Sequence, residues 1–137
     1  SHGWTDSVRG SGKSMKSNDT ANEVPSGTPG ATDDMYAFTT NGYSVGADNY
    51  LNINTSGSTY VGWTWKGGGS AVSNTDGSLT TQVSANPTAG FSIVTYTGGA
   101  ANSTIGHGLS QAPELCVFKK RNANGGDGVR EWACSPS

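Results

Sequence analysis

The segment Gly10–Ser14, which reads GSGKS, is the part of the chain most similar to a known site for chemistry. It ends like a phosphate-binding loop, in which backbone N–H groups cradle the phosphates and a lysine reaches the outer ones. The full pattern also requires a glycine at position 7, where the chain has Ser7, and an apolar strand directly before the loop. Residues Ser1–Asp6 do not form such a strand. We therefore predict a surface loop here and no nucleotide site.

The residues that commonly hold metals are few and scattered. His2 and His107 are the only histidines, and His107 stands between two glycines, where its ring is expected to bond the backbone of its own turn. Cys116 and Cys134 lack the spacing of a zinc site. Acids in loops offer oxygens to Ca²⁺, but turn formation explains these acids equally well: Asp33, Asp34, Asp48 and Asp76. We assign no catalytic, cofactor-binding or metal-binding residue.

Aromatic residues near the middle of the chain are the better candidates for binding. Flat rings on a sheet stack against sugar faces, and amide side chains close by in the sequence could bond sugar hydroxyls: Asn49, Asn52 and Asn54. Trp63 and Trp65 share a strand face with Val61, so we predict that both tryptophans belong to the core. Tyr60 lies on the opposite face. Tyr60 and the three asparagines are therefore the candidate glycan contacts.

The composition favours strands over helices and over disorder. Glycine, serine, threonine and asparagine make up 66 of the 137 residues, and all four rank low in helix propensity. Disordered chains usually lack aromatic residues and carry excess charge. This chain has four Trp, five Tyr and three Phe, while only 13% of its residues are charged. We therefore predict an all-β fold with little or no helix.

The charge balance and the apolar runs exclude two classes of partner. The formal net charge is −2 and no basic stripe is visible, so we predict no nucleic-acid binding. No apolar run approaches the roughly 20 residues that cross a bilayer, so we predict no membrane insertion. The chain begins without Met and ends in a predicted strand, which favours a segment of a longer polypeptide or a processed product.

Strand and turn signals divide the chain into three parts. These are an N-terminal β lobe at 1–66, a connection at 67–90 that is rich in Gly, Ser, Thr and Asn and has one short strand, and a C-terminal β-hairpin lobe at 91–137. We expect them to form one compact domain or a segment of a longer repeat chain. The glycines of Lys66–Ser70 predict a flexible link or a close backbone crossing. The predicted strands are a hairpin within Tyr36–Val45 about an Asn41-Gly42 turn, Tyr60–Trp65, Leu79–Val83, Phe91–Thr97, Leu115–Lys120 and Val129–Cys134.

The C-terminal lobe allows a prediction of register. If Leu115–Lys120 pairs with the last strand about Gly125, Cys116 lies opposite Cys134 and Lys119 lies opposite Glu131. The same register puts Phe118 opposite Trp132. Such aromatic and opposite-charge pairs each contribute roughly 0.2–1 kcal/mol. The two cysteines would be close enough for a disulfide, which we leave open.

The longest recognisable pattern begins with the strand GFSIVTYTG at Gly90–Gly98. It continues with IGHGL at Ile105–Leu109, then Ala112-Pro113 and an apolar strand that ends in Lys119–Arg121. Four earlier segments fit the same order: Asp6–Gly10, Phe38–Gly46, Thr59–Lys66 and Ser73–Ser78. The ordered set resembles a domain of tail-fibre and other structural proteins of bacteriophages, especially marine phages.

The resemblance implies a structural module of a virion, most of all of a tail fibre or another surface appendage involved in host adsorption. The implied partners are copies of the chain itself, as a homotrimer, and other virion proteins. Host surface polysaccharide is left open as a further partner. The implied location is the virion, assembled in the cytoplasm of the host bacterium, where the cysteines are expected to stay thiols. No cofactor is implied.

These observations combine into one expectation with three alternatives. We expect an antiparallel β-sandwich with jelly-roll-like connections, acting as a structural module. The alternatives are a glycan- or receptor-binding module, a capsid decoration protein and an enzyme such as a depolymerase. The last is disfavoured because the carboxylates show no spacing that suggests a pair flanking a glycosidic bond. We therefore predict that the chain is not an enzyme.

Overall fold

The computed structural model describes residues 2–25, 34–47, 50–99, 101–122 and 132–136 of the chain. These residues form ten strands and no helix, which confirms the all-β prediction. No helix able to cross a bilayer occurs among them. The strands are β1 (Gly3–Trp4), β2 (Lys13–Lys16), β3 (Val24–Pro25), β4 (Met35–Thr39), β5 (Gly42–Val45), β6 (Val72–Asn74), β7 (Thr81–Asn86), β8 (Phe91–Thr95), β9 (Leu115–Phe118) and β10 (Ala133–Pro136).

The chain divides into two compact units. Unit 1 combines Ser1–Val61 with Leu115–Ser137, and unit 2 is Gly62–Glu114. The lobes predicted at 1–66, 67–90 and 91–137 follow the order of the sequence and differ from these units. The C-terminal hairpin groups with the N-terminal segment because its side chains contact residues about 100 positions earlier.

Unit 1 contains three small antiparallel sheets. Strands β1, β2 and β3 form one sheet in that order, while β4–β5 and β9–β10 are hairpin pairs. Among the described residues its buried apolar side chains are Met15, Met35 and Leu51. Leu51 packs on Gly3 so closely that a Cβ on Gly3 would lie 2.7 Å from Leu51 Cδ1. Glycine at that position therefore lets Leu51 enter the core.

The predicted hairpin about Asn41-Gly42 is present as β4 and β5, with a turn one residue earlier than expected. Thr39 pairs with Gly42, so the loop consists of Thr40 and Asn41. Neither Asn41 nor Gly42 has a positive φ. The predicted position of the turn is thus wrong by one residue, because Gly42 is the first residue of β5 and not a turn residue.

Unit 2 contains the sheet β6–β7–β8, with β7 in the centre. Ala85 of β7 pairs with Ser92 of β8, so both side chains share one face. The segment Gly106–Gly108 lies on that face. Thr81 Oγ1 donates to Gly106 O at 3.2 Å, and Ser92 Oγ donates to His107 O at 2.6 Å. The IGHGL motif is therefore a layer of backbone that covers one face of the sheet.

A second glycine segment, Gly67–Gly69, covers the other face of the same sheet. The buried Ser84 side chain bonds this segment twice, since Gly68 N donates to Ser84 Oγ at 2.9 Å and Ser84 Oγ donates to Gly69 O at 2.8 Å. A Cβ on Gly68 would lie 1.8 Å from Ala85 O. Of the two structures that the glycine run allowed, the close backbone crossing is the one present.

The finer prediction of a sandwich with jelly-roll-like connections is not confirmed. The described strands form four sheets of two or three strands each, and backbone segments cover the sheet of unit 2 on both faces. The predicted strand Tyr60–Trp65 is not a strand in the structure. Leu79, the predicted start of another strand, makes an isolated bridge with Ile105, and β7 begins two residues later.

Candidate functional site

Two tryptophans of unit 2 are largely exposed. The exposed fraction is 76% for Trp63 and 55% for Trp65. Trp65 stacks on Phe91 at the start of β8, with ring centroids 5.9 Å apart and planes 16° apart. The prediction that both tryptophans belong to the core is therefore wrong. Gly67–Gly69 already covers the face of the sheet that carries Phe91, so Trp65 lies beside this glycine segment and is not buried beneath it.

The predicted glycan contacts lie in unit 1 and are mostly engaged in its loops. Tyr60 is 52% exposed, and its hydroxyl oxygen accepts a hydrogen bond from Thr55 N at 3.0 Å. Asn54 Nδ2 donates to Gly46 O at 2.8 Å. Asn52 is exposed with a φ of +52°, whereas Asn49 lies outside the described residues. Tyr60 and Asn54 thus bond nearby backbone groups of unit 1. Their role in glycan binding stays a prediction.

The phosphate-loop resemblance ends with the structure of β2. Lys13 begins this strand, and Ser14, the next residue, is fully buried. A phosphate-binding loop leads into a helix and exposes these two residues to the ligand. The predicted surface loop is therefore only the segment before Lys13. His107 behaves as expected, since its Nδ1 accepts a hydrogen bond from Leu109 N at 3.1 Å within its own turn.

Asp34 holds a loop together from a buried position. Its carboxylate accepts hydrogen bonds from Tyr50 N at 3.0 Å and from Leu51 N at 2.8 Å. Asp76 forms a local turn with Asn74, whose side-chain oxygen accepts from Asp76 N. The Asp76 contact fits the turn explanation of these acids, whereas Asp34 bonds backbone groups 16 and 17 residues later in the chain. The described residues contain no group of three metal-binding side chains, and Asp33 and Asp48 lie outside them.

The segment Asp6–Gly10, which reads DSVRG, contributes Asp6 and Arg9 to a network of charged side chains. The Arg9 side chain is only 4% exposed and contacts Asp6 at 2.5 Å and Glu23 at 3.1 Å. Arg121 reaches the same Glu23 carboxylate with two hydrogen bonds of 2.9 Å. Burial acts to raise the pKa of Glu23, but the hydrogen bonds from Arg121 and Arg9 outweigh burial and hold this pKa below its ordinary value. The network is structural, because its groups satisfy one another.

The C-terminal hairpin is present with a register one residue away from the prediction. Cys134 pairs with Val117, and Cys116 pairs with Ser135. A shift of one residue turns each side chain to the other face, so the two cysteines lie on opposite faces. Both are free thiols. The predicted pairing of Phe118 with Trp132 is wrong too, since Ala133 occupies that position. Glu131, the predicted partner of Lys119, and Gly125, the predicted centre of the hairpin, lie outside the described residues.

Trp132 instead forms the wall of a cleft in unit 1. The cleft has a volume of about 470 Å³ and is lined by Ser17, Asn18, Asp19, Thr20 and Trp132. Trp132 is half-buried, and its Nε1 donates to Lys16 O at 2.8 Å. Its ring lies 5.4 Å from that of Trp4, measured between centroids. Lys119 Nζ lies 5.9 Å from the indole centroid and donates to Asp19 O at 2.8 Å.

The charges around the cleft come from residues of both strands and loops. Lys16 Nζ lies 4.0 Å from the centroid of the Tyr50 ring. Burial raises the pKa of Tyr50, and the negative charges of Asp19 and Asp34 raise it further. Asp19 thus stands near the phenol as well as at the rim of the cleft. Sequence reasoning missed this cluster because its two parts are more than 110 residues apart.

The comparisons with known proteins identify a family by sequence. No curated protein and no solved structure matches the chain. A family described as a domain of unknown function, DUF7483, matches residues 1–134, which is nearly the entire sequence. The matched range includes Trp63, Trp65 and the residues that line the cleft. The chain therefore belongs to the DUF7483 family.

Proposed function

We propose that the chain is a structural module of a bacteriophage virion, within a tail fibre or another appendage used in host adsorption. We also propose that copies of it assemble through exposed aromatic side chains. The observation that carries the assembly is the 76% exposure of Trp63. The sequence around Trp63 has the alternation of a buried strand face, yet this chain alone does not bury it. A second chain would supply the missing cover.

The magnitude of the exposed surface supports this proposal. A tryptophan buries about 150–250 Å², and each square ångström contributes roughly 25 cal/mol, so complete burial is worth about 4–6 kcal/mol. Burial by a second chain would supply most of this free energy for Trp63 and about half of it for Trp65. Association costs an estimated 4–15 kcal/mol, so the burial of one tryptophan does not offset this cost. Burial of both tryptophans in two or three copies contributes a free energy of the same order as the cost. Aromatic anchors of this kind dominate protein interfaces.

The packing of unit 2 supports a structural role in another way. Its central strand is held between two layers of backbone by hydroxyl groups, Thr81 and Ser84 among them. Close backbone approach leaves little room for rearrangement, because the glycines admit no larger residue there. A rigid module with few charged residues suits an exposed mechanical structure.

Light scattering at several concentrations tests the proposal. The native chain should show a defined oligomer, and Trp63→Ser should shift it to monomer while leaving the strand signal in circular dichroism unchanged. Tyr43→Ser is the matched control, because Tyr43 is 46% exposed on β5 and lies in unit 1. This control should keep the oligomer. A native chain that stays monomeric at every concentration contradicts assembly through Trp63.

A further inference from the structure

We propose that the cleft beside Trp132 binds a neutral sugar unit of a polysaccharide, with the indole as the stacking surface. The inference depends on the chemistry of the cleft and not on the virion role. A volume of about 470 Å³ falls in the range of small-molecule sites, which is roughly 300–1,000 Å³. One aromatic wall surrounded by amide, carboxylate and hydroxyl groups matches a pyranose ring, which has an apolar C–H face and a rim of hydroxyls.

The indole of Trp132 is held in place before any ligand arrives. Its Nε1 donates to Lys16 O at 2.8 Å, and its ring contacts the Trp4 ring at a centroid distance of 5.4 Å. Lys119 bridges the two sides of the cleft, because its Nζ lies near the indole and bonds Asp19 O. A side chain already fixed in this way loses little further freedom on binding, which favours affinity.

The opposite side of the cleft offers polar groups with unused bonding capacity. Asn18 Oδ1 accepts from His2 N at 3.2 Å, and Asp19 Oδ1 accepts from Ala21 N at 2.9 Å. Within the described part of the chain, Asn18 Nδ2, Asp19 Oδ2 and the Thr20 hydroxyl make no hydrogen bond. All three residues are exposed. Donor and acceptor groups side by side suit adjacent sugar hydroxyls, which both donate and accept.

The charge of the lining selects a neutral ligand. Among the residues that the structure describes, the lining includes one carboxylate, on Asp19, and no cation. The nearby ammonium of Lys119 is engaged with Asp19 O. A nucleotide would also stack on an indole, but its phosphates call for guanidinium groups, ammonium groups or a helix N-terminus. The described lining residues supply none of these groups, so the sugar is the better match.

Titration of the full native chain with a panel of probes tests the proposal. The panel contains glucose, galactose, mannose and N-acetylglucosamine, oligomers of each, and AMP, with binding followed by tryptophan fluorescence and saturation-transfer NMR. We expect at least one neutral sugar or its oligomer to bind. Asn18→Asp keeps the oxygen that accepts from His2 N and removes the amide donor, so it should weaken binding about three- to tenfold. Thr20→Val should have an effect of similar size.

Matched variants separate this cleft from the site predicted from sequence. Tyr43→Ser changes an exposed ring on β5 and should leave sugar affinity unchanged. The oligomeric state should be the same in Asn18→Asp, Thr20→Val and Tyr43→Ser. A loss of sugar affinity in Tyr60→Ala, with affinity kept in Asn18→Asp and Thr20→Val, would place the ligand at the site predicted from sequence and overturn the proposal. Trp132→Phe keeps a smaller ring, and its affinity should fall between the native value and none. The proposal is overturned if no sugar binds, if AMP binds more tightly than every sugar, or if Asn18→Asp and Thr20→Val leave the affinity unchanged.

Discussion

Unit 1 and unit 2 are each stabilised internally, and the kinds of contact within them differ. In unit 2, two glycine segments lie on the faces of one sheet, and serine and threonine hydroxyls bond their backbones. In unit 1, side chains join the two ends of the sequence. Arg121 bonds Glu23, Lys119 bonds Asp19, and Trp132 bonds Lys16 across sequence separations of 98, 100 and 116 residues.

The difference shows where each unit can carry a site. In unit 2, backbone segments cover both faces of β7, and the exposed side chains of Trp63 and Trp65 offer a surface. In unit 1 the contacts of Lys119 and Trp132 lie at the C-terminal end of β2, where Trp132 and the loop that follows this strand line the cleft. Substitutions in unit 2 should therefore lower stability through the backbone layers, and substitutions in unit 1 through the long-range side-chain contacts.

The largest expected effect comes from adding one methyl group to the glycine layer. In Gly68→Ala the new Cβ would lie 1.8 Å from Ala85 O, and only a backbone shift relieves that overlap. We expect a loss of about 3 kcal/mol or more in the free energy of unfolding. Hydrogen exchange of the β7 amides should report it. Gly98→Ala is the matched control, since nothing lies within 4 Å of its added Cβ, and it should change stability little.

The corresponding change in unit 1 removes the buried cation. Arg9→Met leaves Asp6 and Glu23 without the guanidinium that contacts both of them. Breaking a buried ion pair from one side costs roughly 3–5 kcal/mol. Denaturant unfolding should show this loss in unit 1, with β7 exchange unchanged. The control Arg121→Met removes a side chain that is 43% exposed, and it should cost about 1 kcal/mol or less.

The predictability of the two units from sequence differs for the same reason. The glycines of Lys66–Ser70 were recognisable as a flexible link or a close backbone crossing because a glycine run has no side chains. His107 bonds its own turn as expected because that contact is local. The cleft was not, because no local pattern brings Asn18 to Trp132. The hairpin register was missed by one residue because the loop offers two turn signals, Asn124-Gly125 and Asp127-Gly128, and the sequence does not decide between them. Trp63 was placed in the core because alternation predicts a buried face but does not show which chain buries it.

A smaller effect should appear when the pH is lowered. The folded protein holds the pKa of Glu23 below 4.5, the ordinary value that applies in the unfolded chain. The stability from this shift is therefore fully present above pH 4.5 and is lost as the pH falls through the lowered pKa. Glu23→Gln should be less stable at neutral pH and show a flatter dependence below pH 4.5. Parallel slopes for native protein and variant in unfolding titrations would count against this role of Glu23.

The smallest expected effect concerns the two cysteines, and it tests the hairpin register directly. Cys116 and Cys134 lie on opposite faces of β9–β10, so an oxidant should not join them unless the register slips by one residue. Mass spectrometry of the oxidant-treated chain without reductant should show two thiols available to an alkylating reagent. The unfolding midpoint should also be the same with and without reductant. An intramolecular disulfide would restore the register in which Cys116 faces Cys134, and it would move Trp132 relative to Phe118. That shift would also disturb the indole wall of the cleft, so the thiol measurement is a control on the geometry of the sugar site as well as on the hairpin.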